Sequence, residues 1–142
     1  MIVASWTVFG SGSLLGEQVA IMGPSGSGKT SLLHILAGIT RPDAGTVVVA
    51  GLAVHSARAK ARAVLRQHKV SMVFQFGELL PELRVGENVA LPFLLRGDKA
   101  PAGLVDSVLA AVGLDCAQAW PAQLSGGETQ RVAVARALVT RP

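Results

Sequence analysis

EQVAIMGPSGSGKTSLLHILAGI, residues 17–39, carries three signals in succession. EQVAIM (17–22) is a short apolar run of the kind that forms a buried strand. TSLLHILAGI (30–39) reads as a helix, with Gly38 near its end and Pro42 beyond it as stop signals. Between them, Gly23, Pro24, Ser25, Gly26, Ser27, Gly28, Lys29 and Thr30 satisfy G-x-x-x-x-G-K-[ST] in the strand–loop–helix context that this pattern requires. Glycines let the backbone wrap closely enough for its N–H groups to point at phosphate oxygens. A helix starting at Gly28 aims its positive end at the same anion, with Ser31 in the same first turn. Lys29 supplies a point charge to β- and γ-phosphates, and the Thr30 hydroxyl is a Mg²⁺ ligand. A merely flexible Gly/Ser loop would explain neither the strand before nor the helix after.

Composition sets the frame for that loop. The 142 residues suffice for one domain with a real core. Half are hydrophobic and only 15% are charged, against a usual quarter. No apolar run approaches the 18 or more residues of a membrane span, and no basic residue precedes Lys29 to start a secretory signal. The lone Cys116 cannot form an internal disulfide, which suits a reducing cytoplasm. A net charge of +4 invites a nucleic-acid reading. However, Arg58, Lys60, Arg62, Arg66 and Lys69 alternate with alanines, as on the solvated face of a surface helix. No aromatic residue interleaves there to stack bases, so nucleic acid is not expected as a partner.

Downstream, DAG (43–45) is a turn, TVVVAG (46–51) a β-branched strand, and KVSMVFQF (69–76) a further buried strand. From Glu78 the character changes to leucine-rich helical patterns punctuated by Pro81, Pro92 and Pro101. Residues 77–124 therefore read as a helical lobe inserted after a core portion, 1–76, and a last helix occupies 125–142. There is no internal repeat.

That last helix opens on Leu124, Ser125, Gly126, Gly127 and Glu128. Ser-x-x-Glu is a capping box, which accounts for Ser125 and Glu128. It does not account for two adjacent glycines, which cost conformational entropy in a helix. Glycines belong there if something must approach the backbone closely, and a second phosphate contact at a helix N-terminus fits.

LSGGE followed by TQRVAVARAL resembles the signature of ATP-binding-cassette (ABC) ATPases, and GPSGSGKT resembles their phosphate loop. The resemblance runs from about Gly16 to Pro142. It implies an α/β fold, the P-loop NTPase fold of ABC type with an inserted helical lobe, shortened here at both ends. Gln75 falls where that family has a glutamine that touches Mg²⁺ and senses the transmembrane partner, so Lys29 and Gln75 are the implied catalytic pair. The stretch VFQFGELLPELRVGENVALP, with Glu at 128, resembles the subgroup serving lipoprotein release and macrolide-type export. The implied ligands are ATP and Mg²⁺. The implied partners are a membrane permease and a second ATP-binding domain, paired head to tail so that residues 124–128 meet the partner's ATP. Location would be cytoplasmic, at the inner face of the membrane through the permease. The alternatives are a module that binds nucleotide without hydrolysis, or a soluble ABC ATPase of DNA repair or translation. In the coiled-coil repair type the two motifs lie far apart, whereas Lys29 and Ser125 are 96 positions apart.

Two family parts have no counterpart in these residues. The family carries an apolar strand ending in Asp-Glu after the signature, then a histidine. Here no Asp-Glu pair occurs, and His34, His55 and His68 all precede the signature. Trp6 and Phe9 are the only aromatics before Lys29, both close to it for adenine stacking, and residues 1–13 match no family element. The missing strand is central in P-loop folds, so the core sheet is expected to lie open and stability to be marginal.

Overall fold

Helix α1, Lys29–Leu36, begins at Gly28, whose φ of 87° belongs to the left-handed region that a side chain disfavours. The computed structural model describes residues 19–141. Trp6, Phe9 and the unmatched residues 1–13 lie outside the described residues, as do Glu17, Gln18 and Pro142. No residue of α1 is fully buried. At its other end Arg66 donates to the Gly38 carbonyl at 2.7 Å, and Arg62 donates to the Ile39 carbonyl at 3.1 Å. Cations at a helix C-terminus satisfy both the free carbonyls and the dipole. Both arginines come from α2, Ala59–His68, which buries only Leu65. Two cations of the basic segment thus cap α1, while Arg58, Lys60 and Lys69 remain exposed.

The strand expectations need correction. TVVVAG yields only Val48–Val49 (β1), which pairs antiparallel with Leu52–Ala53 (β2) in the register Val48 to Ala53 and Val49 to Leu52. Ala50 and Gly51 turn the hairpin with φ of 46° and 79°, the two positive values that the tightest hairpin turn demands. Residues 19–22 and 70–76 form no strand, and this hairpin is the whole sheet among the described residues. Strand structure exists only through pairing, because each backbone N–H and C=O needs a partner across a ladder. The apolar pattern is present in both segments; among the described residues no neighbour pairs with them. Val19 and Met22 accordingly stand 73% and 84% exposed.

Beyond Gly77 the chain builds a dry core. Helices α3 (Val85–Leu94), α4 (Leu104–Ala111) and α5 (Gly126–Leu138) bury Val85 and Val89 against Leu109, Leu114, Val132, Ala135 and Val139. The spacings of four on α3 and three on α5 place each pair on one helix face. Pro92 was expected as a boundary, yet it lies inside α3. It sits in the last turn, where one lost backbone bond does less damage than in mid-helix. Asn88 is fully buried and fully used: it accepts from Leu80 N–H at 2.7 Å and donates to the carbonyls of Leu80, Leu83 and Arg84. One side chain thereby satisfies the loop that leads into the lobe.

Candidate nucleotide-binding site

The glycine-rich loop is folded around Lys29. Its ammonium donates to the carbonyls of Gly23 and Pro24 at 2.8 and 2.7 Å, and to Ser27 Oγ at 3.3 Å. All three acceptors are neutral oxygens of its own loop, so the positive charge has no carboxylate partner among them. A Cβ on Gly23 would lie 2.9 Å from Ser27 Oγ, so the loop is closely wrapped at that glycine. The amides of Lys29, Thr30 and Ser31 lie in the first turn, where no intrahelical acceptor exists. An uncompensated ammonium beside free amides fits an anion. The candidate Mg²⁺ ligands, Thr30 and Gln75, are neutral oxygen donors, and no cluster of three or more His, Cys, Asp or Glu side chains occurs among the described residues. Mg²⁺ suits such a site, because it keeps waters and phosphate oxygens as most of its ligands.

Gln75 stands in a turn closed by Gly77 N–H donating to Phe74 C=O at 3.1 Å. Its side chain is exposed. The Phe74 ring lies 6.4 Å from the His34 ring of α1, so the Gln75 turn borders the phosphate-loop helix. On its other side Gln130 of α5 donates to the Gln75 carbonyl at 3.4 Å.

At the start of α5 the capping box is complete. Ser125 N–H and its hydroxyl donate to Glu128 Oε2 at 2.8 and 2.6 Å, and Glu128 N–H donates to Ser125 Oγ at 3.3 Å. These bonds from Ser125 hold the Glu128 carboxyl below its ordinary range, with Arg131 adding to the effect. The two glycines serve none of this. A Cβ on Gly126 would meet nothing within 4 Å, and one on Gly127 would meet only the Arg131 guanidinium at 3.8 Å. No hydrogen bond joins residues 124–128 to the Lys29 loop among the described residues.

The ABC transporter family model matches residues 14–142. This chain belongs to the ABC transporter family, as an ATP-binding cassette. Among solved structures it is similar to the cassette MJ0796, described as a bacterial ABC transporter cassette in dimeric form. It is equally similar to the dimeric post-hydrolysis state of MJ0796 bound to ADP and Pi. Each comparison gives 35% identity over 84% of this chain and 54% of that one, with a TM-score of 0.77. The chain thus spans about half the length of the cassettes it matches. The P-loop NTPase fold of ABC type holds although the ladder is short, because the fold is set by the path of the chain.

Two features of this cassette were not legible as site residues in its sequence. Arg62 and Arg66 cap α1, and only their i, i+4 spacing in the basic segment hints at a shared face. Arg136 donates to Gly77 C=O at 2.7 Å and Glu78 C=O at 2.9 Å, from a helix that buries Val132, Ala133 and Ala135. A half-buried arginine between Ala135 and Ala137 is the signal, and it is weak without knowing what lies opposite.

Proposed function

We propose that this cassette binds MgATP at the Lys29 loop and drives a membrane exporter as one of a head-to-tail pair. The observation that carries the reading is the Lys29 ammonium, held by the glycine-rich loop with only neutral oxygens as partners. On binding, Lys29 exchanges those carbonyls for β- and γ-phosphate oxygens, and the loop from Gly23 to Ser31 donates its N–H groups to them. Mg²⁺ would supply positive charge against the phosphates at this site. Thr30 and Gln75 are the residues that hold it.

Gly126 and Gly127 serve the partner's nucleotide. Their open surroundings support this, since among the described residues only the Arg131 guanidinium comes near the space that they leave. Leu124 anchors the motif against the lobe core, and Ser125 and Glu128 fix the helix start. The permease sets the transported substrate and holds the cassette at the cytoplasmic face of the membrane; no helix among the described residues is long and apolar enough to cross one. The export subgroup rests on the stretch from Val73 to Pro92. Hydrolysis needs a group that accepts a proton from water. With no Asp-Glu pair in these residues, the chain on its own binds ATP without turnover.

Calorimetry of MgATP binding tests the site. Lys29→Ala should weaken affinity by about 1.5–3 kcal/mol, the range for a charge-assisted contact. Equal affinity in folded wild type and variant would refute the assignment.

A further inference from the structure

The turn after Gln75 is gripped from one side. Gly77 and Glu78 are consecutive residues with positive φ, 76° and 45°, so their carbonyls are turned out of any regular ladder. A guanidinium from α5 collects both: Arg136 Nη2 donates to Gly77 O at 2.7 Å and Nη1 to Glu78 O at 2.9 Å. Gly77 itself is buried against the same helix. A Cβ there would lie 2.9 Å from Thr129 Cγ2 and 3.1 Å from the Thr129 carbonyl. Gln130 adds a long bond to the Gln75 carbonyl. Three positions on α5, Thr129, Gln130 and Arg136, therefore meet three residues of the turn, Gln75, Gly77 and Glu78, and the helix capped by Ser125 ends on this clamp.

We propose that Arg136 is a positioning residue for Gln75. By fixing the two carbonyls after it, Arg136 sets where the Gln75 side chain points, and so links Mg²⁺ coordination to the placement of α5. The inference rests on the reading of Gln75 as a Mg²⁺ ligand. A non-left-handed alternative is open to Glu78, whose side chain disfavours φ of 45°; without the clamp the turn relaxes and Gln75 swings away. The fork geometry matters as well as the charge, because a lysine ammonium is a single point on a flexible stem and does not hold two carbonyls in one plane.

The test compares ATP affinity with and without Mg²⁺ in the full chain, for wild type, Arg136→Lys, Gln75→Ala and the double variant. The ratio of the two affinities reads the Mg²⁺ contribution alone. Arg136→Lys should lower that ratio roughly tenfold, the scale on which residues behind metal ligands act. Its Mg²⁺-free affinity should stay at the wild-type value, which a merely structural role would not predict. The double variant should fall no lower than Gln75→Ala. A wild-type ratio in Arg136→Lys, with the ratio lost in Gln75→Ala, overturns the inference. No change in Gln75→Ala removes the Mg²⁺ reading itself, and the inference with it. If circular dichroism shows Arg136→Lys unfolded, Gly77→Ala replaces it, since it lifts the turn off Thr129 with Arg136 intact. Hydrogen exchange in the wild type decides without any variant: MgATP should change protection in residues 75–80 and 129–136 together, and a change confined to the first segment overturns the clamp.

Discussion

The segment before Gly77 and the segment after it solve the problem of burial differently. After Gly77, three helices share one dry cluster, and its members are supplied by local i, i+3 and i, i+4 spacing. Before it, only Ala37, Val54 and Leu65 among the described apolar side chains are buried, and α1 buries none. Both segments are apolar in sequence. Helices satisfy their own backbone and need only a face to pack, whereas strands need a neighbour before they are strands at all. Among the described residues the segment before Gly77 therefore has little strand pairing, whereas the helices after it need none.

That contrast is most directly broken in the lobe core. Leu109 is 1% exposed at the centre of the cluster, and Leu109→Ala should destabilise the protein by about 2–5 kcal/mol. Leu33→Ala on the half-exposed face of α1 should stay within about 0.5 kcal/mol. Urea denaturation followed by circular dichroism measures both. Similar losses would mean that the two halves share one core after all.

A smaller effect sharpens the boundary between them. Asn88→Ala leaves the Leu80 N–H without its partner, and the loss should be about 1–3 kcal/mol. Hydrogen exchange should speed up first at Leu80 and in the residues just before α3. Exchange that accelerates uniformly along the chain would show that the loop has no separate stability.

The smallest effect concerns pH at the start of α5. Bonds from Ser125 depress the folded pKa of Glu128, so its contribution to stability is complete above the unfolded carboxylate pKa. The contribution is lost as pH falls through the depressed folded value. Glu128→Gln should flatten that acid limb of the stability curve and leave neutral behaviour nearly unchanged. A full acid limb in the variant would assign it to other carboxylates.

The helix after the glycine-rich loop, the capping box and the later helices were legible in the sequence because each is a local pattern. Lys29 and Thr30 follow their glycines within one octapeptide, and Ser125 meets Glu128 across a single turn. The helical character of residues 77–124 followed from their leucine-rich pattern, with Pro92 as the exception that a last turn tolerates. Residues 19–22 and 70–76 form no strand despite their pattern, because periodicity reports which faces are apolar and says nothing of who pairs with them. Arg136 was invisible for the same reason. Its two acceptors lie 59 and 58 residues earlier in the chain, and nothing local in ARAL announces them. Sequence alone determined the chemistry that this protein can offer to a phosphate, since that chemistry is written in contiguous residues. Tertiary structure alone decided which helix grips the Gln75 turn, because a contact across that distance is created only when the lobe folds back on the loop that introduces it.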